Sequence, residues 1–174
     1  MKNVACPHMA NMGRRKFLTG AGVAAAGAIG TGLPIAAKAA PGAARVEYPA
    51  NRLANVKDLK VNEPFDVTYP DGDAPGVLIK LGKRVPGGVG ADGDIVGFST
   101  ICPHKGFPLS YVAADRTFNC PGHFSRFDCE SGGQQVWGQA TQNLPQYTLR
   151  IDGKGDIYAE GLDELLYGRL SNVL

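Results

Sequence analysis

The strongest constraint on this chain lies between residues 102 and 123, where Cys102-Pro103-His104 is followed, fifteen residues on, by Cys120-Pro121-Gly122-His123. Thiols and imidazoles are the soft and borderline ligands of zinc, copper and iron–sulfur centres. The sequence holds only three histidines, and two of them stand in this stretch. If all four act as ligands, the fold brings two turns, separated by fifteen residues, to one centre.

The third histidine, His8, belongs to a leader with a different composition. Residues 1–39 carry five Lys or Arg (Lys2, Arg14, Arg15, Lys16, Lys38) and no acid, whereas the remainder carries 13 basic and 16 acidic residues. Gly13-Arg14-Arg15-Lys16-Phe17-Leu18 sets paired arginines before a weakly apolar Ala/Gly stretch, and Ala37-Lys38-Ala39 offers small residues for cleavage. These are the parts of an export signal, and the twin arginines resemble the Tat class. The expectation is therefore a periplasmic protein exported by the twin-arginine route, with residues 1–39 cleaved or retained as an anchor. A membrane contact is expected only in the second case, since about twenty apolar residues span a bilayer. Cys6-Pro7-His8 repeats the later tripeptide, but is expected to fall outside the folded domain. Without the leader the net charge is −3. No basic stripe is left to neutralise phosphates, which argues against nucleic-acid binding.

The whole chain has 24 glycines and 12 prolines, with short apolar runs between them in its body, a pattern of short strands and many turns. Residues 40–60 read as an extended arm and 61–174 as the folded domain. Strands are predicted at 61–67, 76–81, 95–99, 117–119, 125–129 and 134–137, with a hairpin from Tyr147–Ile151 to Ile157–Ala159 through Asp152-Gly153-Lys154-Gly155. The stretch 162–170 is predicted as one or two amphipathic helical turns. The glycine-rich loop 82–94 lacks the G-x-x-x-x-G-K-[ST] pattern of a phosphate cradle.

Three chemistries compete for Cys102, His104, Cys120 and His123. They can hold a tetrahedral structural zinc, which would make the chain a binding module. The two cysteines can form a disulfide, which an exported compartment permits. Or the four can hold a [2Fe–2S] cluster, both cysteines on one iron and both histidines on the other. Two loops that each open after a strand and meet over one centre favour the third.

Cys102-Pro103-His104-Lys105-Gly106 and Cys120-Pro121-Gly122-His123-Phe124-Ser125 together resemble the Rieske iron–sulfur family, whose loops read C-x-H and C-x-x-H. The likeness covers roughly residues 60–160. It implies an all-β fold, an antiparallel β sandwich or barrel with a small cluster-binding subdomain near 98–140, capped by the Pro145 loop. It implies one [2Fe–2S] cluster held by Cys102, His104, Cys120 and His123. Ser125 matches a serine whose hydroxyl bonds a bridging sulfide. Phe127 stands where high-potential members have tyrosine, so the potential is expected below the top of the range of about −150 to +300 mV. Many members carry two further cysteines that tie the loops together. They would fall at Phe107 and Gly122 here, so no loop disulfide is expected. Cys129 reads as a small buried hydrophobe, Trp137 as a core residue, and Phe107 and Phe124 as shields of the cluster.

Both histidines outside the leader are used by the cluster, which leaves none for a mononuclear oxygenase iron. The expectation is an electron-transfer subunit with no substrate-transforming site of its own. The leader, C-P-H-K-G-F-P and H-F-S-R-F-D together resemble the small subunits of arsenite oxidases. That likeness implies a large molybdopterin and iron–sulfur catalytic subunit as partner and a cytochrome c-type acceptor. A Rieske subunit of a cytochrome bc-type complex is the alternative.

Overall fold

The computed structural model describes residues 47–173; the leader and its Cys6-Pro7-His8 lie outside them. Ten strands form three antiparallel sheets. The first joins β1 (Asn51–Asn55), β10 (Asp156–Leu162) and β9 (Tyr147–Ile151) in the order β1-β10-β9. The second is β2 (Phe65–Thr68), β3 (Pro75–Lys80) and β4 (Ile95–Ser99). The third, the smaller lobe, is β5 (Ser110–Val112), β6 (Thr117–Asn119), β7 (Arg126–Asp128) and β8 (Gln134–Trp137). The helical elements of the described residues are two 3-10 turns, Val56–Asp58 and Cys129–Ser131. Among the described residues no helix is long and apolar enough to cross a membrane.

The middle sheet is covered on both faces, and its sequence shows why. Successive side chains on a strand point to opposite faces. On β3, Val77 and Ile79 enter one core and Leu78 the other; on β4, Val96 and Phe98 enter one and Ile95 the other. The first core also takes Phe118, Phe127, Cys129 and Leu144, and so joins the middle sheet to the small lobe. The second takes Tyr69, Tyr147, Leu149, Ile157 and Ala159, and so joins it to the first sheet. A strand buried on both faces reads as a continuous apolar run, which is what I-V-G-F is. Gly97 is the exception within that run because the Tyr147 ring lies over it: a Cβ there would meet ring carbon at 2.6 Å. The outer edge of β4 does not stay open, since Ser99 N–H donates to the Pro145 carbonyl at 3.0 Å and Phe98 bridges Gln146.

The all-β expectation holds, with three local differences. Residues 51–55, read as part of an extended arm, are a sheet strand hydrogen-bonded along β10. The strand predicted at 61–67 begins at Phe65; Val61 makes only a single bridge to Lys80. The helical turns predicted over 162–170 do not form. β10 runs to Leu162, and beyond it the chain crosses the protein as an irregular strap whose Gly168 has a φ of +78°.

Candidate metal centre

The two ligand stretches fold into the same turn. In the first, Cys102 N–H donates to the Phe107 carbonyl at 2.8 Å, and Gly106 N–H donates back to the Cys102 carbonyl at 2.9 Å. In the second, Cys120 N–H donates to the Ser125 carbonyl at 2.8 Å, and Phe124 N–H donates back to the Cys120 carbonyl at 3.0 Å. Each turn is thus closed by a bond to the fifth residue after its cysteine and a bond from the fourth. In each, that fourth residue has a positive φ, +71° at Gly106 and +61° at Phe124. Glycine takes this conformation freely; for a bulky residue such as phenylalanine it is a true outlier, the kind of strain that gathers at functional sites. β4 leads into the first turn and β6 into the second, so both hang from strands with buried side chains.

The donors are graded from inside to outside. Cys102 and Cys120 are free, buried thiols at the base of the turns. Burial raises the Cys102 thiol above its ordinary value. Against this, the backbone N–H groups of His104 and Lys105 bond its sulfur, while the adjacent Cys120 thiol adds to the rise. The His104 and His123 rings meet edge to face, centroids 4.7 Å apart, with His123 on the exposed side. His104 Nδ1 is buried with no hydrogen-bond partner. A buried ring nitrogen without a partner is costly unless another group completes it. Two buried soft sulfurs plus two adjoining imidazoles, one with an orphaned nitrogen, fit a two-iron cluster with two ligands to each iron.

Ser125 is buried directly after the second turn, and its Oγ accepts from both Gln139 N–H and Ala140 N–H at 3.0 Å. A hydroxyl has two acceptor lone pairs and one proton, so the proton is left to donate. Phe127 is fully buried beside Phe118, and Cys129 is buried in the same core, where desolvation raises its thiol. Trp137 is not a core residue: it is 68% exposed at the end of β8. Phe124 does not close over the site either, being 72% exposed. With His123, these two rings line an open groove.

The chain matches the model of the Rieske [2Fe–2S] domain over residues 50–148. It belongs to the Rieske [2Fe–2S] family. A Rieske domain binds a [2Fe–2S] cluster, and its chemistry is electron transfer. The chain is 40% identical over 164 residues to the iodate reductase subunit IdrB of Denitromonas iodatirespirans, covering 92% of this chain and 86% of that one. The corresponding subunit of Pseudomonas sp. (strain SCT) is 40% identical over 160 residues, covering 90% and 82%. A cytochrome bc1 complex Rieske subunit of Corynebacterium efficiens is 40% identical over 70 residues, covering 40% of this chain and 17% of that one. Among solved structures, the soluble domain of the Rieske protein II (soxF) of Sulfolobus acidocaldarius superposes with a TM-score of 0.63 at 25% identity, covering 71% of this chain and 82% of that one.

The Rieske turns are held together by packing at the two positions where other members carry cysteines. A Cβ built on Gly122 would meet the Phe107 ring at 2.7–2.9 Å, and the Phe107 ring meets the His123 ring edge-on at 5.8 Å. Phe107 therefore fills the space that Gly122 leaves. The added Cβ would lie 2.9 Å from Phe107 Cγ, one bond from Phe107 Cβ and within the reach of a disulfide. Gly122→Cys alone is expected to cost about 1–3 kcal/mol through overpacking. Phe107→Cys with Gly122→Cys clears the ring and is expected to close a disulfide, read by thiol labelling and mass; two thiols that stay free under oxidising conditions would contradict this geometry.

Proposed function

We propose that this Rieske protein is the electron-transfer subunit of a periplasmic arsenite oxidase, working between a large molybdopterin and iron–sulfur catalytic subunit and a cytochrome c-type acceptor. When bound, the [2Fe–2S] cluster supplies one-electron chemistry. Cys102 and Cys120 are the thiolate ligands of the inner iron; His104 and His123 are the imidazole ligands of the outer one. The twin turns fix these four positions through backbone bonds rather than side-chain ones. The Ser125 proton, left over when both its lone pairs are taken, would be free to donate to a cluster sulfur. Such bonds stabilise the more negative reduced state and raise the potential. Phe127 has no hydroxyl to add a second.

The observation that carries the reading is the shape of the exposed side. His123 opens onto a groove with Phe124 and Trp137, large aromatics left in water beside a redox ligand. Buried aromatic anchors are characteristic of protein interfaces. A partner seated there excludes water and reaches the imidazole edge of the site. The catalytic subunit supplies the substrate chemistry, because both histidines of the described chain are ligands. Export by the twin-arginine leader accounts for the location: a folded, cluster-loaded chain is carried across intact.

A second reading comes from the relatives. Two iodate reductase subunits match nearly the whole chain, and iodate, like arsenite, is a small oxyanion. The two assignments run electrons in opposite directions, which makes them separable. Anaerobic addition of arsenite to the native complex is expected to produce the reduced Rieske EPR signal. A signal that appears only with dithionite overturns the arsenite assignment, and a pre-reduced signal abolished by iodate supports the second reading.

Ser125→Ala is expected to lower the midpoint potential by about 40–65 mV, the one-electron equivalent of a hydrogen bond worth about 1–1.5 kcal/mol. Protein-film voltammetry reads it, and an unchanged or higher potential contradicts the role given to this hydroxyl.

A further inference from the structure

The segment after β10 has no regular structure, yet it is tied down more densely than its irregularity suggests. Asp163 N–H donates to the Gln146 carbonyl at 3.2 Å, and its carboxylate accepts from Gln146 N–H at 2.7 Å. The Leu165 carbonyl accepts from Gln142 Nε2 at 2.7 Å. Asn172 is buried and acts as a hub: its Oδ1 accepts from Leu166 N–H at 2.8 Å, and its Nδ2 donates to the Glu164 carbonyl at 2.8 Å and to the Tyr48 hydroxyl at 2.9 Å. Arg169 forks onto the Asp71 carboxylate with bonds of 2.6 and 2.8 Å, the two-pronged geometry that fixes direction as well as distance. Leu166 is buried beneath. These ties reach the Pro145 loop, the segment before β1 and the β2–β3 turn, all of which lie outside the small lobe.

What this fixed strap holds out is Tyr167. A turn closed by Arg169 N–H to the Leu166 carbonyl, with Gly168 at positive φ, turns its ring onto Gly106. A Cβ on Gly106 would meet the ring's Cε1 at 2.5 Å and Cδ1 at 2.6 Å, so this side of the ring rests against bare backbone. Gly106 is the residue whose N–H closes the first ligand turn on the Cys102 carbonyl, and its neighbour Phe107 covers Gly122 of the second. A line of contact therefore runs from the strap through Tyr167, Gly106 and Phe107 to Gly122 and His123.

We infer that the strap, residues 163–173, is a positioning element for the ligand turns, and that the Tyr167 ring resting on Gly106 is the part that sets the first turn in place. The ring carbons make the contact, so phenylalanine serves as well as tyrosine. The inference rests on the assignment of the cluster to these two turns.

The test uses the full chain loaded with its cluster and measures bleaching under an iron chelator, the midpoint potential and the EPR line shape of the reduced state, with a thermal melt beside them. Tyr167→Ala is expected to bleach about threefold to tenfold faster, the effect of losing one aromatic contact, and to shift both potential and line shape. Tyr167→Phe and Leu170→Ala, the latter removing a fully exposed side chain, are expected to behave like the parent. Tyr167→Ala protein with the parent's bleaching rate and potential overturns the inference, and so does Tyr167→Phe as impaired as Tyr167→Ala. If Tyr167→Ala does not load a cluster, Arg169→Ala takes its place, since it loosens the strap at the Asp71 fork and leaves the ring intact. Bleaching faster than the parent then supports the inference, and the parent's rate overturns it. A parent chain with no [2Fe–2S] spectrum fails the cluster assignment itself, whereas normal spectra with equal rates fail only the strap.

Discussion

Two backbone hydrogen bonds across each ligand turn carry the rest of this structure. They curl Cys102–Phe107 and Cys120–Ser125 into matching shapes, set each sulfur at the base and each imidazole toward the rim, and force a positive φ four residues after each cysteine. The turns differ in one detail. The first places its histidine two residues after the cysteine and the second three, so imidazoles from equivalent turns converge from different angles, rings 74° apart. Because the turns hang from β4 and β6, their relative position depends on the core that joins those strands, above all Phe98 against Phe118, whose rings meet at 6.2 Å. The aromatic core is thus part of how two distant tripeptides come to share one centre.

The meeting of Cys102 with Cys120 and of His104 with His123 was legible in the sequence because the motifs are local: C-x-H and C-x-x-H name their own atoms, and the apolar runs before them name the strands. β3, β4 and the β9–β10 hairpin were legible for the same reason. What could not be read depended on distant partners. Asn-Arg-Leu-Ala-Asn has neither alternation nor β-branched residues, and it becomes β1 because β10, about a hundred residues away in sequence, offers it an edge. Leu162, Leu165, Leu166 and Leu170 have helical spacing, yet only Leu166 is buried; Gly168 and the Asn172 side chain turn the chain instead. Trp137 looked like core by residue type, but it ends an edge strand that nothing among the described residues covers. No local signal pairs Tyr167 with Gly106. The one available hint was the glycine itself, which sits in the middle of a ligand turn and is bare on the side the ring occupies.

The distribution of polar and apolar surface separates the tasks of the molecule. Exposed charged side chains pair with one another over the surface, as in Arg52 with Asp156, Arg150 with Glu160 and, beside the second turn, Arg126 with Asp115, contacts worth little in such settings. Beside His123, large rings also stand in water. Phe124 holds such a ring out at a backbone conformation that costs energy, in a turn whose counterpart uses glycine. Strain kept beside the proposed ligand His123 fits the partner surface proposed for this side.

Two sulfurs and two imidazoles from these twin turns are proposed to ligate one [2Fe–2S] centre. Pulsed EPR of the reduced protein tests it most directly, because each ligating imidazole couples a nitrogen nucleus to the electron spin. Two strong nitrogen couplings are expected in the parent chain, of which His104→Cys and His123→Cys each remove a different one. A reduced signal without nitrogen coupling, or couplings that survive both substitutions, would contradict it.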